Sequence, residues 1–127
     1  MKLIAIVISA SIFSMLALSS HAFAAGSSSK PVSDARPGVV DYNDGVKLMK
    51  QAKYDRAEKK FAAALKKNPE MAEAHNNLGY SLRKQGTNNY DKALSHYNQA
   101  IELKPDLAEA YMYRGVLFML MGQEAKA

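Results

Sequence analysis

The sequence predicts an all-α chain, a solenoid of repeated helix-turn-helix pairs forming an α-α superhelix, preceded by a cleaved segment and a flexible leader. Three observations predict it. Two blocks of spaced small and aromatic residues recur every 34 to 36 residues. Between the Pro and Gly breaks, apolar residues fall at helical spacing. No segment alternates with period two for long enough to be a strand.

The chain has 127 residues, room for about one domain. It carries a formal charge of +5 and no Cys or Trp. Zero Cys excludes a disulfide framework, a thiolate metal site, a cysteine nucleophile and a lipid-anchored N-terminal Cys.

The first element is an address. Lys2 precedes an apolar run, Leu3 to Leu18, broken by Ser9, Ser11 and Ser14. Ala22-Phe23-Ala24-Ala25 follows, with small residues at alternate positions. This describes a secretory signal peptide over 1–24, cut after Ala24. The run is shorter than the ~20 residues a spanning helix needs, and no basic cluster follows. The expected mature chain has no stable membrane span and is periplasmic or secreted. Losing Lys2 lowers its charge from +5 to +4. Residues 25–38, rich in Ser, Pro and Gly, cannot bury a core and read as a disordered leader.

The repeats occupy residues 39–127. Asp41-x2-Asp44-Gly45-x2-Leu48 recurs as His75-x2-Leu78-Gly79-x2-Leu82 and as Tyr111-x2-Arg114-Gly115-x2-Phe118. Ala57-x3-Phe61-x2-Ala64-x4-Pro69 recurs as Ala93-x3-Tyr97-x2-Ala100-x4-Pro105. The second copy is two residues longer, and the loop Gly86-Thr87-Asn88-Asn89 is the place for the insertion. Helices are expected near 41–51, 55–67, 70–85, 91–103 and 106–121, with a sixth starting at 124. The copies run over about 38–71, 72–107 and an incomplete 108–127.

This pattern resembles the tetratricopeptide repeat (TPR), whose signature is W-x2-L-G-x2-Y, then A-x3-F, then P, on a 34-residue period. The resemblance covers residues 39 to 127. Gly inside a helix costs ~1 kcal/mol against Ala. Three such glycines are expected to survive because a side chain there would hold paired helices apart, with Ala57 and Ala93 as the matching small face. In the first copy Asp41 and Asp44 replace an aromatic residue and a Leu. Asp41 is expected to cap the first helix and Asp44 to sit in its first turn. Tyr42 and Val46 are left to carry packing there.

Chemistry is mostly excluded. His75 takes the repeat's aromatic place, which implies a partly buried packing role. His96, beside Tyr97, is expected to face solvent. The two are 21 residues apart on different helices, with no carboxylate at ligand spacing. No hydrolase triad with its supporting motif and no phosphate-binding Gly loop appears. No catalytic residue, metal site or cofactor is expected, and the chain is not expected to be an enzyme.

Arg56, Lys59, Lys60, Lys66 and Lys67 crowd one second helix, offset by Asp55 and Glu58. This stripe is either a solvated outer face or an attractor of acidic surfaces. Second helices form the convex side of such stacks, which favours the former, and export argues against nucleic acid.

The resemblance implies a concave groove lined by the first helix of each copy. Its expected lining is Tyr42, Asn43, Val46, Met49 and Lys50 from copy one. Copy two supplies Asn76, Asn77, Tyr80, Arg83 and Lys84. Copy three supplies Met112, Tyr113, Val116 and Met119. Apolar, aromatic, amide and cationic groups there suit a protein or peptide partner, though Asn76-Asn77 is also ordinary repeat consensus. Some TPR proteins grip a chaperone's C-terminal carboxylate with Lys, Asn and Arg. Only Asn77 fits that set, so this partner class is rejected.

Counting from Gly115, the twelve residues that separate Gly45 from Ala57 lead to Ala127. The third second-helix therefore stops at its packing Ala, before the next aromatic. An uncapped end of this kind is expected to continue into further chain or to self-associate. The favoured function is an exported, non-enzymatic scaffold or adaptor that binds a protein or peptide. The alternatives are an accessory domain of a larger cell-envelope assembly (secretion, pilus or cell-wall machinery) and the N-terminal part of a longer enzyme.

Overall fold

The computed structural model describes residues 35–122. The expected signal peptide, most of the expected leader and the expected sixth helix lie outside the described residues. Five helices follow one another: α1 (Val39–Lys50), α2 (Tyr54–Lys67), α3 (Ala72–Lys84), α4 (Tyr90–Leu103) and α5 (Ala108–Leu120). Each packs on its neighbours in sequence, and α3 also meets α1 and α5. That ladder of nearest-neighbour contacts defines a helical solenoid. Among the described residues there is no strand.

The repeat glycines admit aromatic rings. A Cβ on Gly45 would lie 2.7 Å from Cε1 of Phe61, and one on Gly79 would lie 2.9 Å from Cε1 of Tyr97. Each ring belongs to the second helix of its own repeat and is fully buried. Ala57, Ala64, Ala93 and Ala100 are also fully buried, so small residues on the second helix bring it close to the first. Gly79 would additionally press a Cβ to 3.1 Å from the Ala93 carbonyl oxygen.

The helix ends differ from expectation in three places. Asp41 does not cap α1. Its N-cap is Gly38, at φ 86°, and a Cβ there would meet the Ala64 carbonyl oxygen at 2.5 Å. Gly38, assigned to the leader, is thus buried against α2. Asp41 instead lies in the first turn and pairs with Lys67, because α1 begins at Val39, two residues before the start that the spacing predicts. The insertion after Gly86 is an ordered single 3-10 turn, Thr87–Asn89, leading directly into α4. Between α1 and α2, Ala52 adopts φ 56°, and Lys53 N–H bonds the Leu48 carbonyl at 3.0 Å. This is a left-handed helix terminus built without glycine.

The links between repeats follow one design. Pro69 and Pro105 sit second in turns closed by Met71 N–H to Asn68 O at 3.3 Å and by Leu107 N–H to Lys104 O at 3.0 Å. Proline's fixed φ favours that place in a turn. The residues two beyond, Met71 and Leu107, are buried and anchor the start of the next helix.

Gly79→Ala tests the constraint. It gains ~1 kcal/mol of helix propensity yet forces a methyl group against Tyr97 and the Ala93 carbonyl. The expected net effect on denaturant unfolding is a loss of ~1–3 kcal/mol, as for overpacked cores.

Candidate functional site

α1, α3 and α5 line one face of the solenoid, and side chains tie them together. Asn77 on α3 donates from Nδ2 to the Tyr42 hydroxyl on α1 at 3.1 Å. Asn76 Nδ2 donates to Asn77 Oδ1 at 3.4 Å, a long bond. Tyr80 on α3 and Tyr113 on α5 meet with ring centroids 5.1 Å apart.

The expected groove residues divide by depth. Tyr42, Val46, Met49, Asn76, Asn77 and Tyr113 are buried. Asn43, Tyr80 and Arg83 are half-buried, and Lys50 and Lys84 are exposed. Met112 and Val116 are 44% and 38% exposed, and Met119 is exposed more fully still. Val46 of copy one and Val116 of copy three occupy the same register yet differ in exposure, so the repeats do not present equal surfaces.

One cluster stands out for its chemistry. Arg83 places its guanidinium 5.1 Å from the Tyr80 ring centroid and 5.9 Å from that of Tyr113. Its Nε donates to the Tyr97 hydroxyl at 3.4 Å. Lys84 Nζ lies 5.6 Å from the Tyr54 ring, which meets Tyr80 edge-on at 6.0 Å. Burial pushes the Tyr97 phenol up to about 12. Burial, and then the charge of Glu73, raise Tyr42 as well, and burial followed by Tyr80 raises Tyr54. These tyrosines are therefore neutral rings at physiological pH. Tyr80 and Tyr113 hold Arg83, and Tyr54 holds Lys84, at the edge of the face through cation–π attraction, each worth roughly 0.5–1 kcal/mol when exposed. Tyr54 was not foreseen as part of this cluster. It precedes the second-helix motif, and only the fold brings it beside α3.

The outer face refines one expectation and corrects another. The basic stripe on α2 is partly neutralised from α1. Lys67 pairs with Asp41, and Lys60 lies 3.5 Å from Asp44 and 3.9 Å from Asp41. These carboxylates are distant in sequence and adjacent in space, so the stripe is less positive than a count along α2 suggests. His96 does not simply face solvent: it is half-buried against His75, with their Nδ1 atoms 3.1 Å apart. Spacing alone could not show this, because the two rings meet only when α3 and α4 pack. Among the described residues no group of three His, Cys, Asp or Glu is placed to hold a metal ion. No described helix is long and apolar enough to cross a membrane.

Two family models match adjoining stretches of the chain. One described as Tetratricopeptide repeat matches residues 45–88. One described as TPR repeat matches residues 87–122. No curated protein matches.

Proposed function

The chain belongs to the tetratricopeptide repeat family, and from that premise we propose that it is an exported adaptor whose α1–α3–α5 face binds a protein or peptide. TPR repeats are protein–protein interaction modules and are typically non-catalytic. The observation that carries the choice of face is the Tyr80–Arg83–Tyr113 cluster beside exposed Met112 and Val116. Aromatic rings and methionine supply adaptable apolar contact, and a π-bound guanidinium supplies direction toward acidic groups. The outer face offers less, because Asp41 and Asp44 already engage Lys60 and Lys67.

A partner captured from an envelope extract should bind about 1 kcal/mol or more weakly to Tyr80→Ala and to Met112→Ala, with helical circular dichroism unchanged. Binding abolished by charge reversal at Lys59, Lys60 and Lys67, with the inner-face variants silent, would move the site to α2. Self-association through α5, where Leu120 is 53% exposed, is the other proposed occupant of the third repeat. Sedimentation of the chain should then depend on concentration, and a single monomer at all concentrations would remove it.

Export rests on the apolar run Leu3 to Leu18 and on the small pair Ala22 and Ala24 that follows it. Protein recovered from its native host should have an intact mass beginning at Ala25. A mature chain that retains Met1 would sink the proposal.

A further inference from the structure

We propose that the His75–His96 hydrogen bond is an acid-sensitive latch between the two helices of the second repeat, held while the pair carries at most one extra proton and released by the second. The proton positions follow from the partners. His75 Nε2 lies 2.9 Å from the Pro69 carbonyl oxygen, which only accepts, so Nε2 carries a hydrogen in every charge state of a closed latch. Neutral His75 then has a bare Nδ1. The hydrogen in the 3.1 Å contact between the two Nδ1 atoms must therefore come from His96. The bond and the two rings' own radii account for nearly all of the 5.4 Å between ring centroids, so the rings meet edge to edge rather than face to face.

This arrangement has room for one proton and no room for two. The first goes to His96 Nε2, away from the bond, and leaves a charged donor facing a neutral acceptor. The second can go only to His75 Nδ1, the acceptor itself. Two N–H groups on two cations then confront each other, and the contact breaks.

The latch lies within the second repeat, and the Pro69 bond of His75 ties it to the end of the first. His75 is on α3, Pro69 is in the turn that ends the first repeat, and His96 is on α4. A cleft of about 420 Å³, lined in part by Glu58, Leu65, Leu78, Lys92 and His96, flanks the pair on one side. A hollow of about 260 Å³ between Pro69, Gln99 and Glu102 flanks His75 on the other. A released ring has space to turn into either. The charged groups around the pair are Glu58 from α2 and Lys92 and Glu102 from α4. Glu58 favours the first proton on His96. Burial lowers the proton affinity of both imidazoles, and His75 lowers that of His96 further, while the Pro69 bond partly offsets the effect at His75.

The sign of the effect follows. Each group's affinity is depressed below its ordinary 6.5 in the folded chain, so the unfolded chain binds more protons as pH falls through that value. The stabilisation is fully present above pH 6.5 and is lost progressively below it. Since α3 also carries Tyr80 and Arg83, release of the latch removes one tie between α4 and the helix that presents the binding cluster.

Imidazole nitrogen NMR of the whole chain, titrated from about pH 7.5 to about pH 4, tests this, with signals assigned through His→Gln variants. His75 should appear as the Nε2–H tautomer and His96 as the Nδ1–H tautomer. The pair should take its two protons in steps separated by more than about one pH unit. Backbone signals of the Pro69 turn and of α4 should move only with the second step. Independent titration of both rings near the ordinary value, or His75 as the Nδ1–H tautomer, would overturn the latch. As a second readout, the melting temperature of the wild-type chain should fall from pH 7 to pH 5 by more than that of His96→Gln. Equal falls in both proteins would also overturn it.

Discussion

The first two repeats each depend on a ring seated over a missing side chain. Phe61 lies on Gly45 and Tyr97 lies on Gly79, both at distances that leave no room for a Cβ. The glycine costs helix propensity, and the buried ring more than offsets it, because burying a large apolar side chain is worth roughly 1.5–3 kcal/mol. Seating the ring brings the paired helices together, and the fully buried Ala57 and Ala93 complete the close approach. A pair formed this way still has an open flank, which the next pair covers. Tyr97 shows the continuity: it fills the Gly79 site and also approaches Tyr113 of the next repeat, with centroids 6.2 Å apart.

The same construction sets where chemistry is displayed. First helices share one face, so Tyr42 and Asn77, or Tyr80 and Tyr113, meet across repeats although they are more than thirty residues apart. Second helices share the other face, with the α2 lysines anchored to α1 carboxylates. Between them runs the seam of linker turns, where the His75 ring bonds the Pro69 carbonyl. Two proposals therefore fall on two parts of one scaffold: a binding cluster on the inner face and a protonation-sensitive joint behind it. Because α3 serves both, the state of the joint bears on the geometry of the cluster.

The first repeat shows how far a repeat can drift and still assemble. Asp41 and Asp44 stand where the pattern has an aromatic residue and a Leu. Neither is needed for core packing, since Tyr42 and Val46 are buried in that helix. The carboxylates were free to be reused as partners for Lys60 and Lys67 on α2. Exposed pairs of this kind add little each, typically under about 1 kcal/mol. Their larger effect is on the outer surface, where they reduce the positive charge.

The order, type and approximate limits of the five helices were legible in the sequence, as was the role of Gly45, Gly79, Ala57 and Ala93. These features follow from local rules: helical period, proline breaks, and the spacing of small and large residues along one helix. The sequence also pointed to the inner face and to Tyr80, Arg83 and Tyr113 on it, because repeat register fixes which positions share a side. It could not place Tyr54 in that cluster, pair Asp41 with Lys67, or bring His96 to His75. Nor did it mark Met71 and Leu107 as anchors. Each of these depends on how one helix rotates against another, and that rotation is set by whole packed surfaces. A repeating pattern specifies which residues lie on a face; only the packed helices decide which of them touch.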